Sequence, residues 1–200
     1  MKSIIMQFIR QIDPITKGIV LINLFSYAYN LYKNGFDAIT GISAKQMLTV
    51  GGVTGDNSLL HIITAMFSHY SFMHLLLNMG TLILLSSIVR GSFSSIAYLS
   101  TYLGSGIISN LFTKWIDPNM VSLGASGSIY GLFGMLFIGS IFSKQFPYLK
   151  HLTTIIFITL GVNVFYTLST EKINSLVHFT GLGVGMLATI IVISFLKKRI

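Results

Sequence analysis

The sequence predicts an all-α polytopic membrane protein, a bundle of six transmembrane helices with a long outer loop between the first and second. Three observations carry that prediction. The 200 residues are 52% hydrophobic and only 9% charged, whereas a soluble globular surface needs about 25% charged residues. Six stretches are apolar over nearly the length of about 20 residues that a helix needs to cross a bilayer. The lysines and arginines between those stretches fall mostly on one side, as the positive-inside rule requires.

The expected spans are 15–32, 73–89, 92–112, 126–142, 148–168 and 175–196. They leave no room for a second unit, so residues 1–200 read as a single membrane domain. The first span follows Lys2, Arg10 and Lys17 and lacks a strong small-residue cleavage site, so it reads as a retained anchor. With the N-terminus inside, Lys2, Arg10, Lys17, Arg90, Lys144, Lys150, Lys197, Lys198 and Arg199 flank the inner side. Lys33, Lys45, Lys114 and Lys172 fall outside, so nine of the thirteen basic residues are inner. Both termini are therefore expected in the cytoplasm. The same sorting explains the net charge of +8 without nucleic acid as a partner. Cysteine is absent, which excludes disulfide and thiol chemistry.

The connection 33–72 is far longer than most of the others. It mixes the glycine-rich "GISAKQMLTVGGVTGDN" with the apolar "LLHIITAMF". Such a stretch is expected to be partly ordered, to lie at the membrane interface and to serve function.

Charged residues are missing from the span interiors, so the polar groups that remain there are the functional candidates. The second span opens "MHLLLNMG", which puts His74 and Asn78 on one helix face. The fourth opens at Ser126, with Tyr130 one turn below. The sixth opens "SLVHFTGLGVG", with His178, Gly181 and Gly185 on one face. Spans two, four and six all run from outside to inside. His74, Ser126 and His178 therefore share one depth near the outer surface.

Gly127 and Gly131 form a G-x-x-x-G, as do Gly181 and Gly185. Such pairs usually let helix backbones approach. That reading and a chemical one are compatible, because glycines that join spans four and six also join Ser126 to His178. Gly124 adds to the small residues at the start of span four.

A serine hydroxyl becomes a nucleophile when a neighbouring base takes its proton, and Ser126 with His178 supplies that pair. The oxyanion of a tetrahedral intermediate needs donors. The free backbone N–H groups at the start of span four, His74 and Asn78 can provide them. Asp13, Asp37, Asp56, Asp117 and Glu171 all lie outside the spans, so the arrangement is a dyad without an acid. Tyr130 is the expected packing partner of the His178 ring. No H-E-x-x-H is present, and His61, His69 and His74 have no acid or cysteine beside them, so neither metal nor cofactor is expected. "GASGS" is not the G-x-S-x-G of an α/β-hydrolase, and no pair of membrane aspartates exists.

The blocks "AMFSHYSFMHLLLNM" (65–79), "GASGSIYGLFG" (124–134) and "HFTGLGVG" (178–185), in this order on six spans, resemble the rhomboid intramembrane serine proteases in their minimal six-span bacterial form. The resemblance implies a serine endopeptidase that cuts transmembrane protein substrates in the lipid bilayer of a bacterial plasma membrane. It makes Ser126 the nucleophile and His178 the general base. His74, Asn78 and the Ser126 backbone N–H line the oxyanion hole, and Tyr130 packs on the His178 ring. His69 corresponds to a structural loop histidine, and Gly181 and Gly185 hold span six against span four. Many members carry a Trp-Arg pair in the first outer loop, where this chain has Leu60-His61 and its only tryptophan is Trp115. That departure concerns the loop's anchoring and not the catalytic positions.

Two other functions are open to the same sequence. One is a catalytically silent binder of transmembrane helices. The other is a small transporter, against which stand the missing membrane charges and the lack of inverted symmetry. Oligomeric state is not encoded in any feature of the sequence.

Overall fold

The computed structural model describes residues 11–169 and 174–197. Lys2, Arg10, Lys172, Lys198 and Arg199, which contributed to the expected orientation, and Glu171 lie outside the described residues. Six helices of sixteen residues or more stand out among the described residues. They are α1 (Pro14–Asn34), α2 (Phe72–Arg90), α3 (Ser95–Ile116), α4 (Ser126–Ile141), α5 (Thr153–Ser169) and α6 (Ser175–Lys197). No strand is formed among these residues, and Val53 and Ser122 make one isolated antiparallel bridge. Two of the six, α2 and α6, are long and apolar enough by themselves to cross a membrane. The apolar helices α4 and α5 are shorter, at 16 and 17 residues.

Local chemistry sets the helix starts. Asp13 caps α1 by accepting hydrogen bonds from the amides of Ile15 (2.9 Å) and Thr16 (3.4 Å), and Pro14 occupies the first turn, where its missing N–H costs nothing. Ser71 caps α2 and Ser94 caps α3 in the same way. The third expected span began at 92, but the Ser94 cap delays the helix to Ser95. The fifth was expected from 148. There the chain first forms a single turn, Pro147–Lys150, which buries Leu149 completely, and α5 begins only at Thr153.

The Asp13 carboxylate also accepts a hydrogen bond from Arg90 Nε at 2.9 Å, which ties the start of α1 to the end of α2. Burial pushes the Asp13 carboxyl up. The Arg90 guanidinium and the two amides outweigh burial and hold it below its usual value. A depressed carboxyl contributes stability that is present at neutral pH and lost as pH falls below about 4. Asp13→Ala is expected to cost about 0.5–2 kcal/mol at pH 7. Thermal unfolding at pH 7 and at pH 3 checks this, because the gap between wild type and variant should shrink in acid.

The connection between α1 and α2, expected to be partly ordered, carries regular structure. It contains three short helices, Asp37–Thr40, Ala44–Thr49 and Leu60–Thr64, and the 3-10 turn Ala65–Phe67. Ser43 and Gln46 form a reciprocal capping box at the second of these. Two small apolar clusters sit beneath it, one of Ala38, Ile42 and Val50 and one of Val53, Ile62 and Ala65. Bundle side chains then hold its backbone. Tyr27 Oη donates to Ala38 O (2.8 Å), Asn30 Nδ2 to His69 O (2.8 Å) and Asn110 Nδ2 to Ile62 O (2.8 Å). The Lys114 ammonium donates to the carbonyls of Thr54, Gly55 and Asn57 at 3.1, 2.5 and 2.5 Å. This lysine anchors the loop that lacks a Trp-Arg pair.

Helix α4 is buried nearly all round, as a helix without a polar face must be. It packs most extensively against α6 and α3. A Cβ on Gly181 would overlap the backbone carbonyl of Gly127, and one on Gly185 that of Gly131. The two G-x-x-x-G pairs therefore meet each other across the α4–α6 contact. Large apolar side chains such as Phe25 and Tyr32 on α1 and Phe165 and Leu168 on α5 are exposed on the outside of the bundle, as on a lipid-facing surface.

Candidate active site

The N-terminal ends of α2, α4 and α6 meet, so His74, Ser126 and His178 come from one end of the bundle. Ser126 is the first residue of α4 and has no side-chain cap beneath it. The segment leading to it is stitched to the 35–71 connection. The Val53–Ser122 bridge, Gly55 N to Pro118 O (2.9 Å) and Gly124 N to Ala65 O (2.8 Å) make the stitches. Gly124 has φ +125°, which L side chains rarely adopt, and a Cβ there would lie 2.7 Å from His74 Cε1 and 2.9 Å from His74 Nε2. The His74 imidazole thus lies against the backbone two residues before Ser126. Gly124→Ala combines backbone strain with this clash. It is expected to cost about 1–3 kcal/mol and to displace His74. Thermal denaturation and a cleavage assay, run side by side, check both effects.

Tyr130 lies one turn below Ser126, and its ring stacks on that of His178, with centroids 4.2 Å apart and planes within 14°. A Cβ on Gly127 would lie 2.9 Å from Val177 Cγ1, so the residues next to Ser126 and His178 are in close contact. Ser126 and His178 make no hydrogen bond to each other in this structure; such catalytic bonds are often long without substrate and tighten on binding. The His178 ring is held instead through Nδ1, 2.9 Å from Thr167 Oγ1.

Asn78 is buried, and its Nδ2 donates to His74 O at 2.9 Å, which leaves its second amide hydrogen for other use. His69 is buried completely, its ring set edge-on to that of His74 at 4.9 Å. Burial, reinforced by His74, pushes its pKa well below the usual histidine range, so His69 is neutral. Its carbonyl accepts the Asn30 hydrogen bond described above. No group of three or more histidine, cysteine or acidic residues is placed to hold a metal among the described residues.

Sequence reasoning missed two residues here. Thr167 is one of many hydroxyls on α5, and nothing in its spacing marks it. Lys114 was counted only as an outer positive charge.

These features define a class: a helical membrane protein that sets a serine and a stacked histidine at the starts of two tightly packed helices. Residues 56–195 match the family model of the Rhomboid domain, and the chain belongs to the rhomboid family. Over 139 residues it is 31% identical to a Bacillus subtilis protein provisionally named rhomboid protease YdcA, a match that covers 69% of each chain. Rhomboid-like protease 3 of Toxoplasma gondii is 25% identical over 144 residues, which are 71% of this chain and 53% of that one. Inactive RHOMBOID-like protein 8 of Arabidopsis thaliana is 27% identical over 101 residues, 48% of this chain and 29% of its own.

Proposed function

We propose that the chain is an intramembrane serine endopeptidase that cleaves peptide bonds in or beside transmembrane segments, near the outer face of the cell membrane, through a Ser126–His178 dyad. The observation that carries this reading is the parallel stack of Tyr130 on His178, one turn below a serine at a helix start. The stack seats the imidazole against α4, one turn from Ser126.

The length of α4 supports a site below the membrane surface. Its sixteen residues rise about 24 Å, short of the hydrocarbon core of about 30 Å. A helix too short to reach both membrane faces allows Ser126, at its start, to lie below the outer one.

The chemistry follows from the groups in place. His178 Nε2 takes the Ser126 proton, and Ser126 Oγ attacks the scissile carbonyl. The oxyanion is held by the unpaired amides at the start of α4, by His74 and by the free amide hydrogen of Asn78. His178 then protonates the departing amine, and water hydrolyses the acyl-enzyme. The substrates are membrane proteins that present a transmembrane segment to this end of the bundle.

Labelling with a fluorophosphonate probe tests the reading. Wild type is expected to label and Ser126→Ala is not. An unlabelled wild type that binds a transmembrane segment without cutting it would establish the silent binder instead, a role consistent with a relative named as inactive.

A further inference from the structure

A stacked ring is fixed in its plane but not in its rotation within that plane, and stacking does not choose which nitrogen carries the proton. A general base acting through Nε2 needs the tautomer with hydrogen on Nδ1. Acid residues hold that hydrogen in a triad, and among the described residues none is hydrogen-bonded to His178. Thr167 occupies the place. Its Oγ1 lies 2.9 Å from His178 Nδ1, and both side chains are buried, Thr167 to 2% exposure and His178 to 9%.

The surrounding hydrogen bonds leave Thr167 able to accept in this contact. Thr167 Oγ1 lies 2.9 Å from the Asn163 carbonyl, and Tyr130 Oη lies 2.8 Å from that carbonyl and 2.5 Å from Thr167 Oγ1. Two hydroxyl hydrogens are available. If Thr167 donates to Asn163 O, its lone pairs accept from Tyr130 Oη and from His178 Nδ1–H, and every group is satisfied. If Thr167 instead donates to Nδ1, Tyr130 donates to Thr167 and the Asn163 carbonyl keeps its helical hydrogen bond from the Thr167 amide. His178 Nε2 then carries the hydrogen and cannot take the Ser126 proton, so the dyad chemistry requires the first arrangement.

We propose that Thr167 is a positioning residue: as a neutral acceptor from α5 it holds His178 in the Nδ1–H tautomer, with Nε2 free toward Ser126. This rests on the dyad reading above. In the step it serves, the Ser126 proton moves to Nε2 while the Nδ1 hydrogen stays in place, donated to Thr167. The hydroxyl of Thr167 keeps its own hydrogen on the Asn163 carbonyl.

Two readouts test it on the full-length protein. Nitrogen NMR of ¹⁵N-histidine-labelled protein, with the His178 signals assigned by their loss in His178→Gln, reports the tautomer without any catalysis. Wild type is expected to show Nδ1–H, and Thr167→Val a shift toward Nε2–H; wild type with Nε2–H overturns the proposal whether or not any variant folds. The rate of fluorophosphonate labelling is the second. Thr167→Val should label on the order of 10–100 times more slowly, and Thr167→Ser, which keeps the hydroxyl, should stay within about threefold of wild type. Wild-type labelling by the valine variant, or equal slowing in the serine variant, overturns the proposal. A wild type that shows Nδ1–H but never labels counts against the protease reading and leaves the hydrogen bond standing.

Discussion

Ser126→Ala is expected to reduce cleavage of a transmembrane substrate to background while leaving the protein folded. Removing the nucleophile of a serine hydrolase costs on the order of a millionfold in turnover. The fold should tolerate the change, because the Ser126 side chain is half-buried, caps no helix and holds no neighbour by a hydrogen bond. His178→Ala should be as severe in activity but harsher in stability, since it removes the ring beneath which Tyr130 stacks and leaves Thr167 Oγ1 without that partner. The double variant should be no worse than either single one, because the two residues act as a unit. Cleavage measured by gel and mass spectrometry, with thermal unfolding on the same preparations, checks all three. Substantial cleavage by the Ser126→Ala protein would sink the assignment.

Gly185→Ala is expected to be the most damaging of the conservative changes. The added Cβ would overlap the Gly131 carbonyl, a backbone atom that cannot swing aside as a side chain does. The α4–α6 pair must open, and the cost of such overpacking is about 2–4 kcal/mol. That corresponds to a fall in Tm of about 5–15 °C. Activity should fall further than stability, because the same opening separates Ser126 on α4 from His178 on α6. Gly183 provides the control. Nothing lies within 4 Å of a Cβ built there. Gly183→Ala should be neutral or stabilising by up to about 1 kcal/mol through helix propensity alone. Equal tolerance of both substitutions would show that the glycine contact is not what holds the two helices.

The residues behind both results are visible in the sequence, and the reason is physical. A bilayer makes polar residues expensive, so the few that remain in apolar segments carry information. His74, Ser126 and His178 stood out on that ground, and the helical repeat placed Asn78 below His74 and Tyr130 below Ser126. The two G-x-x-x-G pairs announced a close helix contact in the same way. Membership of the rhomboid family and the all-helical architecture were readable from those residues.

The remaining features depend on how the helices cross. Hydroxyls in apolar helices usually bond back to their own backbone, so Thr167 looks like any threonine until α5 brings it to His178 Nδ1. Lys114 counts as a loop charge until three carbonyls of residues 54–57 close around it. The 35–71 connection reads as partly ordered, but only the fold shows how: it buries Ala38, Ile42, Val53 and Ala65 beneath it and stitches it to the segment before Gly124. The residues able to do chemistry are thus determined by composition and helical period, which are local. Their anchors are decided by tertiary contacts between residues distant in sequence, because a hydrogen bond or a carbonyl cage has no period along the chain.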